Sequence, residues 1–203
     1  MKMQNMVDFL ISKYNPETLI LYGSYADGSY NANSDLDALV FADVPEAIHD
    51  VSVAEGIQLD VFVYPADAEF NPEDYPQLYY SKIVIDRQGR GKALQEAVVN
   101  YIENRPAKSD ESILENIVWC EKMLARTQRA DAEGYYRWHW VLCDSLEFYS
   151  DIRGWFYSGP KKTLLLMQRL DPVAYAIYSK ALKYMEHKYL SDWVEFLKRE
   201  LHG

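Results

Sequence analysis

The stretch Leu21-Tyr22-Gly23-Ser24-Tyr25-Ala26-Asp27-Gly28-Ser29-Tyr30-Asn31-Ala32-Asn33-Ser34-Asp35-Leu36-Asp37-Ala38-Leu39-Val40 decides how this chain is read. It starts where the β-rich run Thr18–Tyr22 ends, and it closes inside a second such run, Leu36–Phe41. Gly23-Ser24 stands at the strand end, where backbone N–H groups can point outward. With a helix starting there, those donors and the helix dipole make an anion site to which Ser24 adds a hydroxyl. Taken alone, a Gly-Ser pair describes an ordinary turn equally well. Asp35 and Asp37 are more specific, because residues two apart in a strand project to one face and aim both carboxylates at one spot. Like charges that close repel, and no basic residue lies within several positions. A divalent cation bridging the pair is the simplest remedy, and oxygen ligands favour Mg²⁺. Solvated acids at a strand-entry turn are the competing reading.

Asp60 weighs on that choice. It interrupts the apolar run Ile57-Gln58-Leu59-Asp60-Val61-Phe62-Val63, where an isolated carboxylate is costly to bury. If this strand neighbours Leu36–Phe41, Asp60 joins Asp35 and Asp37. If it is an edge strand, Asp60 and Gln58 face solvent.

Working outward, Val7, Leu10, Ile11 and Tyr14 fall at helical spacing, and Asn15-Pro16 stops that helix. Lys82–Ile85 is a weaker fourth strand, and a helix follows from about Lys92 with Leu94, Val98, Tyr101 and Ile102 on one side. Helices and strands interleaved with short gaps indicate a small sheet domain of mixed class. The second half reads as helix, with Ile113, Ile117, Cys120 and Leu124 repeating on one face, and Trp138, Leu142, Leu146 and Tyr149 on another. Leu164–Leu170, Val173–Tyr184 and Tyr189–Leu201 complete a bundle of about five short helices. The seam lies within Glu103–Ser109, where Pro106 interrupts the pattern and Ser109 or Ser112 can cap the next helix. The expected domains are therefore 1–104 and 105–203.

The charge divides at the same place. The 203 residues carry a formal charge of −10; residues 1–104 hold 6 Lys and Arg against 17 Asp and Glu, and residues 105–203 hold 15 against 14. A pI near 4.9 argues against nucleic acid as a partner, since cationic side chains must displace counterions. No apolar run approaches the roughly 20 residues that cross a bilayer. The start Met1-Lys2-Met3-Gln4-Asn5 does not resemble a secretory leader. Cys120 and Cys143 read as buried thiols rather than a disulfide framework. A cytoplasmic protein without a membrane partner is expected.

Gly23-Ser24, ten intervening residues, then Asp35-Leu36-Asp37 flanked by hydrophobics resembles the signature of the DNA polymerase β-like nucleotidyltransferase superfamily. Gly28 and Ser34 match positions common in its small bacterial branch, which includes aminoglycoside and lincosamide nucleotidyltransferases. The third carboxylate of the family maps to Asp60. The resemblance implies an α+β fold, a mixed sheet with helices followed by an all-α bundle. It also implies two Mg²⁺ ions and a nucleoside triphosphate over Gly23, Ser24 and Ser34. Asp35 and Asp37 would hold both ions, and Asp60 the catalytic one. Small members often place a basic residue before the glycine matching Gly28, where this chain has Asp27. That departure puts nucleotide binding in question.

The resemblance extends to the helical half, where Trp155-Phe156-Tyr157-Ser158-Gly159-Pro160-Lys161-Lys162 looks like an aromatic–proline–lysine segment of antibiotic-modifying relatives. It makes Lys162, with Lys161 close behind, a candidate phosphate contact; a solvated basic helix start is the alternative. Asp144, Glu147 and Asp151 form an acidic helical stripe, which is either a solvated face or a site for a cationic acceptor, with Glu147 or Asp144 as an alternative base to Asp60. Nine aromatics crowd residues 135–157, and most belong in a core. His139 has no metal-ligand spacing with His49, His187 or His202 and reads as structural. The leading expectation is an enzyme transferring a nucleoside monophosphate, AMP from ATP, to a hydroxyl of a small molecule, with a homodimer within what the resemblance allows. A nucleotidyltransferase-like antitoxin or protein-modifying partner, and a non-catalytic nucleotide-binding relative, are the alternatives.

Overall fold

The computed structural model describes residues 2–129 and 131–201, so His202 lies outside the described residues. The chain folds as two compact units, Met1–Arg105 and Pro106–Gly203.

In the first unit α1 (Lys2–Tyr14) leads into β1 (Thr18–Leu21), a single helical turn α2 (Gly23–Asp27) and β2 (Leu36–Ala42). Then come β3 (Ile48–Asp50), β4 (Val53–Ala54), β5 (Ile57–Pro65), two 3₁₀ turns at 72–80, β6 (Lys82–Asp86) and α3 (Arg90–Glu103). The sheet runs β3-β5-β2-β1-β6, with the short β4 also paired to β5. Only β2 and β5 run parallel; β1–β2, β1–β6, β3–β5 and β4–β5 are antiparallel. The fold class is α+β, a mixed sheet with helices and then a run of helices.

The period-two pattern explains the layering. Leu59, Val61 and Val63 of β5, with Leu36, Ala38 and Val40 of β2, turn to one face and bury against Met6, Val7 and Leu10 of α1. Each such Leu or Val contributes about 1.5–3 kcal/mol on full burial. The opposite face carries Asp37, Leu39 and Phe41 on β2 and Asp60, Phe62 and Tyr64 on β5. At one end it is closed by Arg90 of α3, whose guanidinium stacks 4.2 Å from the Phe41 ring centre. The start of α3 is fixed by Asp86, which accepts from the backbone N–H groups of Gly91 at 2.8 Å and Lys92 at 2.9 Å. At its other end, the same face presents the two aspartates.

The β4–β5 hairpin turns at Glu55-Gly56, with φ of 52° and 73°, the double positive-φ geometry that matches strand twist in a two-residue loop. That turn sets the register back to β3, where His49 faces Phe62 and Asp50 faces Val61. Asp50 points to the α1 side and accepts from Lys13 Nζ at 2.7 Å and the Tyr14 hydroxyl at 2.6 Å.

The second unit contains, among the described residues, α4 (Asp110–Arg126), α5 (Ala132–Ile152), α6 (Pro160–Leu170), α7 (Pro172–Lys183) and α8 (His187–Leu201). Three of these helices, α4, α5 and α7, are capped by side-chain oxygens: Ser109 accepts from Ser112 N–H, Asp131 from Gly134 and Asp171 from Ala174. Ile113, Ile117, Cys120, Trp138, Leu142, Leu146, Tyr149, Trp193 and Leu197 are all buried in one core. Two of its aromatics have their polar tips satisfied, Trp193 Nε1 by Ser145 Oγ at 2.9 Å and the Tyr178 hydroxyl by the Leu142 carbonyl at 2.6 Å, whereas the buried Trp138 Nε1 has no hydrogen-bond partner among the described residues.

Three sequence expectations are corrected. Cys120 is buried, and burial pushes its thiol up to about 12, but Cys143 is exposed. Helical rotation turns position 143 away from the buried positions 141, 142, 145 and 146. Tyr101 is exposed, because the buried side of α3 runs through Leu94, Val98 and Ile102. The bundle helices are not all short, since α5 spans 21 residues.

Candidate active site

The first site residue follows from the end of β1. Gly23 has φ +63°, and a Cβ added there would sit 2.1 Å from Asp37 Oδ2. Only glycine meets both conditions, left-handed backbone and no side chain, so the chain closes directly onto the Asp37 carboxylate. Tyr22 N–H donates to the Asp37 carbonyl at 3.2 Å, which ties the two strands at this point.

Asp37 and Asp60 are direct partners across the parallel β2–β5 pair. Asp35 lies two residues before Asp37, and one carboxylate oxygen from each of Asp35, Asp37 and Asp60 lies within 4.8 Å of the others. β5 is an interior strand of the sheet, so Asp60 is not on a free edge. The three acids are partly open, Asp35 exposed and the other two intermediate. Behind them Tyr22 is buried, and its burial, with the charges of Asp37 and Asp60 alongside, pushes its phenol above the ordinary value. It is therefore a neutral wall at neutral pH. Three oxygen donors, two on adjacent strands and Asp35 in the loop just before β2, mutually repulsive when ionised, suit a hard divalent cation.

One neighbour escaped the sequence reading. His49 Nε2 lies 2.6 Å from Asp60 Oδ1. The available signal was the hairpin: a turn at Glu55-Gly56 places residue 49 opposite 62 and diagonal to 60 on the same face.

Two other residues have local structural roles. Asp27 Oδ1 accepts from Ser29 N–H at 2.9 Å, closing the turn after α2. Here an acid serves where the resemblance expects a base. Ser34 Oγ accepts from Asn31 N–H at 2.9 Å and braces the loop just before Asp35. Ser24 is half-buried in the first turn of α2.

The helical-unit candidates separate differently. Lys162 lies half-buried in the first turn of α6, with Lys161 exposed beside it. Asp151 accepts from Lys108 Nζ at 2.6 Å, and Glu147 lies 3.9 Å from the same nitrogen. Much of the acidic stripe is thus neutralised from within its own unit. His139 is exposed and stands in no cluster of three or more metal-type ligands among the described residues. Of the nine aromatics, Trp138 and Tyr149 are buried, whereas Tyr135 and Tyr136 are exposed.

The family model of the nucleotidyltransferase domain matches residues 3–120, more than half of the chain. The chain belongs to that family. The match takes in the whole of the first unit's sheet and continues into α4. No curated protein matches the chain. Among solved structures it is similar to the crystal structure of a nucleotidyltransferase-like protein from Exiguobacterium sibiricum 255-15. Identity is 15%, with 98% of this chain and 74% of that chain covered, at a TM-score of 0.41. As a nucleotidyltransferase the chain has an activity class, transfer of a nucleoside monophosphate from a triphosphate. No helix among the described residues is long and apolar enough to cross a membrane.

Proposed function

We propose that this nucleotidyltransferase moves AMP from ATP onto a hydroxyl of a small molecule and releases pyrophosphate, with Asp35, Asp37 and Asp60 holding Mg²⁺. The observation that carries the reading is the convergence of those three carboxylates within 4.8 Å, beside a glycine with no room for a side chain. When bound, the ions supply Lewis-acid activation of the acceptor oxygen and charge shielding for the triphosphate.

The protein's own part is positional. Gly23 and Ser24 present backbone N–H groups at the strand end, the donors a phosphate oxygen needs. Ser34 holds the loop that delivers Asp35. Asp60, besides holding the ion, is the group proposed to take the proton of the acceptor hydroxyl. Glu147 is a weaker candidate for that base because Lys108 lies close to it. Lys162, in the first turn of α6, is proposed as a phosphate contact on the strength of the resemblance. An aminoglycoside-like or lincosamide-like acceptor fits the resemblance of the Trp155–Lys162 segment.

The test incubates the protein, Mg²⁺ and α-labelled triphosphates with panels of aminoglycosides, lincosamides and polypeptides. Label on a small molecule, with ATP preferred, is the expected result. Label on a polypeptide replaces the acceptor class. The absence of any transferred label or released pyrophosphate overturns the proposal.

A further inference from the structure

We propose that His49 is a positioning residue for the carboxylate centre, donating its Nε2–H to Asp60 Oδ1 so that Oδ2 is the oxygen left for the cation. The inference rests on the reading of Asp35, Asp37 and Asp60 as a metal centre.

Four observations carry it. His49 Nε2 and Asp60 Oδ1 are 2.6 Å apart, and an ionised carboxylate only accepts, so the ring proton belongs on Nε2. The imidazole is itself oriented: it stacks on Phe62, its cross-strand partner, with centres 4.2 Å apart and planes 6° off parallel. Both side chains are substantially exposed, His49 at 48% and Asp60 at 37%. A pair so exposed contributes little to folding, so its geometry has no large structural task to explain it. Finally, Asp60 faces two like charges, and repulsion from Asp35 and Asp37 drives its side chain to swing away. A donor on Oδ1 restrains that swing and links Asp60 on β5, the partner of Asp37 on β2, to His49 on β3.

Partners of this kind, which hold a ligand without touching the metal, typically change metal affinity by about 10–100-fold when removed. His49→Phe is the sharp variant, since a phenyl ring keeps the stack on Phe62 and loses the donor. His49→Gln restores an N–H at comparable reach.

The experiment uses the full chain with Mn²⁺ as the probe in the presence of a non-hydrolysable triphosphate analogue. Bound Mn²⁺ is counted by electron paramagnetic resonance, and the fold is checked by circular dichroism. Wild type binds, Asp37→Asn loses binding, His49→Phe weakens it about tenfold or more, and His49→Gln recovers most of it. If Asp37→Asn binds like wild type, the metal-centre reading fails, and this inference falls with it. If Asp37→Asn loses binding while His49→Phe matches wild type, the metal centre stands and the role of His49 is overturned. Equal loss in the Phe and Gln variants also overturns it, because donation would then not be the operative contact. A readout independent of variants is the ¹⁵N spectrum of the wild-type imidazole without metal. A proton on Nε2 supports the proposal, and a proton confined to Nδ1 sinks it.

Discussion

Two groups of three acids distinguish the two units, and they meet opposite fates. Asp37 and Asp60 come from paired strands and Asp35 from the loop just before β2, and the three converge to within 4.8 Å. Asp144, Glu147 and Asp151 lie along α5, where Lys108 approaches Glu147 at 3.9 Å and binds Asp151 at 2.6 Å. A helix face spreads its side chains along an axis, each beside its own share of solvent and counter-charge. Adjacent strands do the reverse: pairing brings carboxylates distant in sequence to the same point. Acid count is equal in the two groups, so the sheet register makes the difference between a candidate metal centre and a compensated surface.

The strongest way to break this contrast is at the convergent group. Asp35→Asn or Asp37→Asn should cut nucleotidyl transfer at least about a hundredfold, the loss of several kcal/mol of transition-state stabilisation. Circular dichroism should remain that of wild type, and full activity in both variants would make the groups alike after all. Gly23→Ala should come next, because its Cβ would lie 2.1 Å from Asp37 Oδ2. The left-handed backbone alone costs alanine about 1–2 kcal/mol, so both activity and the melting temperature should fall.

Asp50 is an acid of the first unit that serves stability. Burial alone raises its carboxyl, but hydrogen bonds from Lys13, Tyr14 and Ser52 outweigh that and hold it below the usual range. A depressed carboxyl stabilises the fold above its unfolded value of 3.8 and loses that contribution as pH falls toward its folded value. Asp50→Asn should therefore cost about 1–3 kcal/mol at pH 7. Thermal melts of the variant and wild type should draw together as pH drops below about 4. The smallest effect belongs to the helical stripe. Glu147→Gln should leave turnover within about twofold of wild type and stability within about 0.5 kcal/mol. A hundredfold loss of turnover there would move the base to the helical unit.

Much of this was legible before any coordinates. Thr18–Tyr22, Leu36–Phe41 and Ile57–Tyr64 stand out as β-rich apolar runs, with Lys82–Ile85 a weaker fourth, and strands form at 18–21, 36–42, 57–65 and 82–86. Asp60 was readable as costly if buried alone, and it lies opposite Asp37. The missing part was pairing. β3 and β4 have three and two residues, too few for a periodic signal, so the side chains they carry had no assigned face. His49 has no metal-ligand spacing with the other histidines, and its partner is a carboxylate eleven residues on. Lys108 is similar: it sits in the seam before α4, and nothing local reports that it meets α5. The acidic balance of the first half was also less uniform than it looked, since Asp27, Asp50 and Asp86 serve a turn, a buried ion pair and a helix cap.

Because side chains alternate across a strand, residues 49 and 50 are assigned to opposite layers by the number of residues between β3 and β5. Insertion or deletion of a single residue there would exchange them, sending a carboxylate into a group already crowded with negative charge and an imidazole toward Lys13. Changes of length by two keep the assignment. Homologues of this chain should therefore tolerate many sequences in that loop but only lengths of one parity, a rule that can be checked by counting.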